Sequence, residues 1–598
     1  MTRDGVDWPL ARVLIGIVVV AMVVLKGTVT LLAMLRPDDG QISGVPQAPL
    51  VPVAVAWPEP DRLIVALRDD RSLIFVNPEK HEVERRLRLG LRPNDLAVAE
   101  DGLLAIGGQE GEIEVREPDG FRRFLRTCGR GPTRVEPLAD NRLAAACLWD
   151  RRVLVLDGKT GEELASHPLP FEPGVMLSLP DGGLLVADAF GGRLATLRPG
   201  EPGSEQISRL DAVNIRGLAL SGDRTEILLV HMASSGPTQV TRTNVDWGLI
   251  LASKLTAVKI SDLNESRPSF RQLNLDGSGH GAADPSGIAV SPDGHVIHVS
   301  LSGAHQVLRV DRRLGGPSGP DLHPLGDSNR IGEAEVGQSP LGIALAPTGS
   351  KLATADAMSD SVTILAADDL KPIANIALNE SPIQRSAAQR GEALFVDGRR
   401  ALDRWMSCAS CHPGGHTVSL RFDTLGDGTY GNPKDTPSLL GVGQTPPFAW
   451  TGRFRSLEDQ VEQSMLTSLH GPHPSEDQVA DVAAYLATLQ PPPPIRAQAD
   501  EEIRQGQAVF QARRCDTCHT PPTFSSRPLR NPDIPGIEGL YSTPSLLGVE
   551  RTPPYFHDSS APSLDVVLER HHPGFEDAPT AADREVLLAY LRALGARP

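Results

Sequence analysis

Two five-residue stretches carry the most specific chemistry in this 598-residue chain: Cys408-Ala-Ser-Cys411-His412 and Cys515-Asp-Thr-Cys518-His519. Two thiols at this spacing can each form a thioether to one vinyl group of a haem, and the adjoining histidine then lies under the iron as an axial ligand. A lone Cys-x-x-Cys could bind zinc or cycle as a dithiol. Here both pairs run straight into histidine, and no further Cys-x-x-Cys completes a four-cysteine site. The reading is two covalently attached haem c groups. They differ by what faces the other side of each iron: a second strong ligand makes an electron-transfer haem, an open side a reactive one.

The elements that must hold these motifs repeat. A short helical segment precedes each, Arg390-Gly-Glu-Ala-Leu-Phe395 and Arg504-Gln-Gly-Gln-Ala-Val-Phe510. Thr-Pro-Ser-Leu-Leu-Gly-Val follows at 436–442 and again at 543–549, then Thr-Pro-Pro with an aromatic stretch, then Ser-Leu-Glu or Ser-Leu-Asp. An apolar helix closes each half, at 482–489 and 586–594, and the prolines of 491–494 form a stiff spacer. This is an internal duplication of a mainly α c-type cytochrome domain, predicted over 381–490 and 491–598.

Residues 383–598 resemble the dihaem cytochrome c peroxidase family, which includes the methylamine-utilisation dihaem enzymes. The resemblance implies a peroxidatic first haem and a second haem that passes electrons to it. Phe448-Ala-Trp450-Thr-Gly-Arg453-Phe-Arg-Ser-Leu-Glu458 resembles the family segment Gln-Phe-Trp-Asp-Gly-Arg…Ser-Leu-Glu. By that match Glu458 is the acid–base residue over the peroxide, with Trp450 and Arg453 as further catalytic candidates. Cleaving peroxide needs a group that takes a proton from one oxygen and returns it to the other. A glutamate two residues after Ser456 also suits a plain helix start. Phe448 stands where the family has an active-site glutamine.

The family's distal histidine falls near Gly428, so the first iron is expected to be open or weakly ligated. His416, Met465, His470 and His473 are possible substitutes, Met465 being as natural in a core as on an iron. In the second half Thr552-Pro-Pro-Tyr-Phe-His557-Asp558 resembles Thr-Ala-Pro-Tyr-Phe-His-Asp-Gly of the electron-transfer domain. The sixth ligand there falls on Arg570-His571-His572-Pro573, which implies a bis-histidine haem through His571 or His572. Trp405 and Trp450 could relay electrons or simply pack. The family's calcium ion would find oxygen donors in Asp423, Asp427 and Asn432, on a Gly-rich loop that reads equally as a solvated turn.

Upstream the texture is different. Pro93-Asn-Asp-Leu-Ala-Val-Ala-Glu-Asp-Gly102 recurs as Pro285-Ser-Gly-Ile-Ala-Val-Ser-Pro-Asp-Gly294 and Pro340-Leu-Gly-Ile-Ala-Leu-Ala-Pro-Thr-Gly349, with weaker copies from Pro52, Pro132, Pro173 and Arg216. The early starts lie roughly 40 residues apart, each unit holding about four short alternating strands. One such sheet cannot bury both faces, but seven packed radially can. An all-β seven-bladed propeller is predicted over 51–380, similar to propellers with YVTN-type repeats. An insertion falls around 236–283, and the last unit also reads as enlarged. The insertion, with Asp246, Trp247 and the His280 region, is the candidate to cover the haem domain or a substrate channel; otherwise the propeller is a docking scaffold, the reading preferred.

Residues 1–35 hold a nearly unbroken apolar run from Leu10 to Leu35 and are read as an uncleaved N-terminal membrane helix, with a cleavable leader as the alternative. Residues 36–50 read as a linker. Either way the rest of the chain is expected to be periplasmic or otherwise extracytoplasmic, anchored to the inner membrane in the first case. Cys128 and Cys147 could pair there or stay as free buried thiols. The net charge of −17 argues against a nucleic-acid partner. It suits docking of a small redox protein of cytochrome c or cupredoxin type, as electron donor or acceptor, with hydrogen peroxide as substrate. A non-catalytic electron-transfer protein is the alternative. A propeller-borne dehydrogenase feeding the haems would need a cofactor site that no motif supplies.

Overall fold

The computed structural model describes residues 49–595 apart from 278, 313–329, 380–382, 496–498, 533, 535–536, 538, 572–574 and 576. The expected membrane helix and most of the linker lie outside the described residues, and among those described no helix is long and apolar enough to cross a membrane.

Seven four-stranded antiparallel sheets form the propeller, over 52–88, 93–127, 133–168, 173–209, 213–274, 285–335 and 340–377, here blades 1 to 7. Alternation places apolar side chains on both faces of the middle strands, so each core lies between two neighbouring blades. Leu103, Ile113, Val115 and Phe124 of blade 2 pack on Val135, Leu143 and Leu154 of blade 3, whereas Leu104 faces the core shared with blade 1. Tight turns close the hairpins. Asp157, for example, accepts the amides of Lys159 and Thr160 at 2.8 Å each, and Gly161 takes the positive φ of 72° that the turn needs. Cys128 and Cys147 form a disulfide that ties the end of blade 2 to blade 3.

Every blade is built from consecutive strands, so the ring closes by face packing rather than strand exchange. Val55, Trp57, Leu63 and Val65 of blade 1 share a core with Ala353, Val362 and Ile364 of blade 7. Asp360 fastens the seam by accepting the amides of Leu50 and Val51 at 3.1 and 2.9 Å. The predicted insertion is present in blade 5 and carries a short helix α1 (Arg242–Asp246). The other extra length belongs to blade 6, not to the last unit. It falls between strands Gln306–Asp311 and Arg330–Glu335, while blade 7 has only short turns. A long interval between repeat starts reports on the unit before it.

The C-terminal region is helical. Its first half contains α2 (Ala387–Phe395), α3 (Cys408–Cys411), α4 (Leu457–Thr467) and α5 (Glu476–Thr488); its second contains α6 (Asp500–Ala512), α7 (Leu564–Arg570) and α8 (Ala581–Arg592). The same crossing organises both. A Cβ on Gly391 of α2 would lie 1.9 Å from the Asp481 carbonyl oxygen of α5, and one on Gly506 of α6 would lie 1.9 Å from that of Val586 in α8. Phe395 meets Tyr485 at 5.2 Å and 57°, and Phe510 meets Tyr590 at 5.3 Å and 59°. Glycine is required where the backbones touch, and the aromatic pair fills the angle between them.

Candidate functional site

In both halves the histidine of the motif is aimed by backbone carbonyls. His412 Nδ1 donates to the His416 carbonyl at 3.2 Å, and His519 Nδ1 to that of Phe524 at 3.1 Å. The Pro437 and Pro544 carbonyls, from the repeated Thr-Pro-Ser-Leu-Leu-Gly-Val segment, reinforce them. Burial pushes both imidazoles down to about 4, so they stay neutral with the lone pair on Nε2, the form that binds a metal. Burial also pushes Cys408 and Cys411 up to about 12 and Cys515 up to about 11. A reactive dithiol or a zinc thiolate needs the opposite shift. Neutral sulfur beside a neutral imidazole fits thioether attachment of haem. Trp405, packed with Cys408 and Cys411, keeps its indole N–H buried without a hydrogen-bond partner, so the protein chain alone does not satisfy this site.

The two halves differ opposite the histidine. In the second, the rings of His519 and His571 face each other with centres 6.5 Å apart and planes at 90°. An imidazole nitrogen binds a metal at roughly 2 Å, so two rings across one iron lie roughly 6 Å apart centre to centre. His571 Nδ1 donates to the Pro532 carbonyl at 2.9 Å, which fixes the tautomer with its lone pair on Nε2. His572 is outside the described residues. His571 reaches this place because α7 stops at Arg570 and His571 turns to extended backbone (φ −110°, ψ 91°). In the sequence Pro573 lies two residues on, and the residue before it, His572, is disfavoured in helix, so the helix has to give out here. The first half has no such stop. Counted from the capping serines Ser456 and Ser563, Ser464 stands in the place of His571, and α4 runs on through it.

The other candidates opposite His412 are held elsewhere. His416 accepts from Ser438 Oγ at 3.0 Å and donates to the Arg551 carbonyl at 3.1 Å. His470 donates to Val240 O at 2.7 Å, and His473 Nδ1 contacts Pro474 O at 3.2 Å. Met465 is buried with Phe395, Val461, Val479 and Leu486 in the core of the helical crossing.

Glu458 is exposed in the first turn of α4, after the cap that Ser456 makes to the Asp459 amide. Arg453 lies over the Phe454 ring at 5.6 Å and reaches Leu425 O at 3.4 Å; Phe448 is buried. Trp450 donates from Nε1 to Asp435 O at 2.8 Å and meets His557 of the second half edge-on at 6.4 Å. Among the described residues no hydrogen bond joins Glu458 to Trp450 or Arg453. In the candidate calcium loop Asp427 pairs with Lys434 and Asp423 accepts the amides of Gly431 and Asn432. Among the described residues no group of three or more His, Cys, Asp or Glu side chains could hold a metal ion. Both carboxylates are thus engaged within the loop, and Asp423 is buried rather than solvated.

Sequence reasoning missed how tightly the propeller grips the first motif. Asp284 of the propeller, buried, accepts from Ser407 Oγ at 2.5 Å and from Ser410 Oγ at 2.7 Å, on either side of Cys408. Ser407 also caps α3, so one carboxylate fixes the attachment turn. The blade 5 insertion covers this half. Val240, Val245, Ile250 and Leu251 pack on Trp405, Met406, Val418 and Phe422. Arg551 of the second half joins all three parts: its guanidinium sits over Trp149 at 5.1 Å and pairs with Glu172 at 3.3 Å, and its carbonyl accepts from His416 Nε2 of the first half at 3.1 Å. Only the Ser-x-x-Ser spacing around Cys408 hinted at a cap.

Comparison with known proteins places the helical region. The family model described as "Di-haem cytochrome c peroxidase" matches residues 385–504. "Methylamine utilization protein MauG" of Methylorubrum extorquens is 26% identical over 321 residues, 42% of this chain and 90% of that protein. "Cytochrome c551 peroxidase" of Nitrosomonas europaea is 23% identical over 273 residues, 36% of this chain and 80% of that protein. Among solved structures, Kuenenia stuttgartiensis hydrazine synthase matches 55% of this chain and 99% of that chain at 18% identity, with a TM-score of 0.48. Behind the seven-bladed propeller, residues 385–504 match the di-haem cytochrome c peroxidase family, and that match implies covalently bound haem c.

Proposed function

We propose that the chain is a periplasmic two-haem oxidoreductase that reduces hydrogen peroxide to two waters, using two electrons and two protons. A second haem, attached at His519, would deliver electrons to a first, attached at His412. The observation that carries this reading is the asymmetry of the halves: His571 faces His519, whereas the histidines near His412 are bound elsewhere. Haem iron supplies electron exchange and peroxide binding. The chain supplies the rest. Cys408, Cys411, Cys515 and Cys518 hold the two groups, and backbone carbonyls aim the two proximal histidines. Glu458 is the one proton carrier that the motif match offers, moving a proton between the peroxide oxygens. Phe448 leaves the peroxide without the amide partner of relatives, which favours a bulkier or different oxidisable substrate as the alternative use of the same site.

Electrons would come from a small redox protein of cytochrome c or cupredoxin type drawn to the acidic surface. The disulfide Cys128–Cys147 supports an oxidising compartment, with 1–35 as the inner-membrane anchor. The deciding experiment is the ferric EPR spectrum of the holoprotein. One high-spin haem altered by peroxide or cyanide and one low-spin haem are expected. Two low-spin haems indifferent to peroxide would instead identify a non-catalytic electron-transfer protein.

A further inference from the structure

On one side of the propeller Arg68 pairs with Glu392 of α2, and Asp284 holds Ser407 and Ser410 at α3. There the blades enclose a cavity of about 120 Å³ lined by Val53, Arg68, Asn94, Arg134, Arg216 and Ser286, among others. That is the share of about four liquid waters. Most of its polar groups are already used. Arg68 pairs with Glu392 of α2 at 2.6 Å and with Asp69, and Arg134 pairs with Asp95 at 3.2 Å. Asn94 donates to Thr133 O and accepts from Gln109, and Ser286 Oγ donates to Pro340 O at 2.7 Å. Arg216 is the exception. It extends from the inner strand Val213–Leu220 of blade 5 with no hydrogen bond or ion pair to any described residue. Arg216 is partly buried and lines the cavity, so its guanidinium brings five N–H donors that no described side chain takes up. The carboxylate that acts on it is Asp284, whose oxygens are held by Ser407 and Ser410.

We propose that this cavity is a binding site for a small anion, an oxyanion or short carboxylate, gripped by Arg216 with Arg134 as the second cation. The chemistry is that of a guanidinium fork meeting paired oxygens in a water-poor space, where a charge-assisted pair is strongest. The occupant would sit behind the Asp284 clamp of the first attachment motif, so the propeller is more than a scaffold. This inference does not depend on peroxide turnover.

Isothermal titration of the holoprotein tests it, with sodium phosphate, sodium sulfate and sodium acetate as separate probes in chloride-free buffer. Saturable binding of at least one probe at one site per chain is expected, and the probe that binds separates oxyanion from carboxylate. Arg216→Gln is expected to weaken that binding by roughly tenfold or more, and Arg216→Lys by less. If Arg216→Gln does not fold, Arg134→Gln serves as the second variant, expected to weaken binding without abolishing it. Absence of binding by all three probes at 50-fold molar excess or more over about 1 mM protein, or equal affinity in the Arg216 variants, would show that the cavity holds water only.

Discussion

The two helical halves are close copies that part company at one turn. Gly391 and Gly506 allow the same crossing, the Phe–Tyr pairs fill it at nearly the same distance and angle, and His412 and His519 are aimed by equivalent carbonyls. The difference is where the next helix stops. With α4 running through Ser464, the space opposite His412 receives no histidine from it; with α7 ending at Arg570, His571 swings toward His519. A duplicated scaffold can thus be given two roles by changing a helix end, leaving the core untouched.

Five substitutions would break or sharpen that comparison. The largest effect is expected from Glu458→Gln, which should lower peroxide turnover about 100-fold or more while the low-spin EPR signal of the second haem stays as it was. Undiminished turnover would remove Glu458 from the chemistry. His571→Ala should convert that low-spin signal to high spin and slow electron delivery roughly tenfold to a hundredfold in rapid-mixing reduction assays. A signal that stays low-spin would move the ligand to His572. Gly391→Ala and Gly506→Ala should each destabilise their half by about 3 kcal/mol, because backbone blocks the new methyl group. Thermal unfolding followed by circular dichroism measures both, and a large inequality would mean that the crossings are not equivalent.

The smallest effect concerns pH. Asp435 in the first half is buried against the Ser559 hydroxyl and pushed up to about 7, whereas the matching position in the second half is Ser542. Folded Asp435 therefore holds its proton to about pH 7, while the unfolded residue releases it near 4. The native state binds the extra proton between these values, so this group's contribution to stability is present below pH 4 and is lost as pH rises through 7. Asp435→Asn should flatten the melting temperature over that window; an unchanged slope would assign the pH dependence elsewhere.

Local patterns exposed much of this in the sequence. Period-2 alternation after each repeat start defined all seven blades, and Cys-x-x-Cys-His with its repeated flanks located both attachment turns. Pairings distant along the chain were not legible. Nothing in the spacing joins Asp284 to Ser407, or Arg551 to Trp149 and Glu172, because these depend on how finished domains meet. Two adjacent histidines could not be ranked either, since the choice depends on the backbone angle at which α7 gives out. The pairing of Cys128 with Cys147 needed the blade-to-blade register that brings their Cα atoms to 5.6 Å. The Asp427–Lys434 pair likewise depends on how the Gly-rich loop folds back on itself, which the spacing of its oxygen donors does not foretell.

Asp360 deserves a mechanical reading. Its carboxylate takes the amides of Leu50 and Val51, where the chain enters the ring, and also Asn379 and Arg385, where the chain leaves it. To the rest of the polypeptide the whole propeller is a closed detour that returns to its starting point. A pull on the segment before residue 49 would thus be borne at this junction and passed toward α2, without first travelling around the blades.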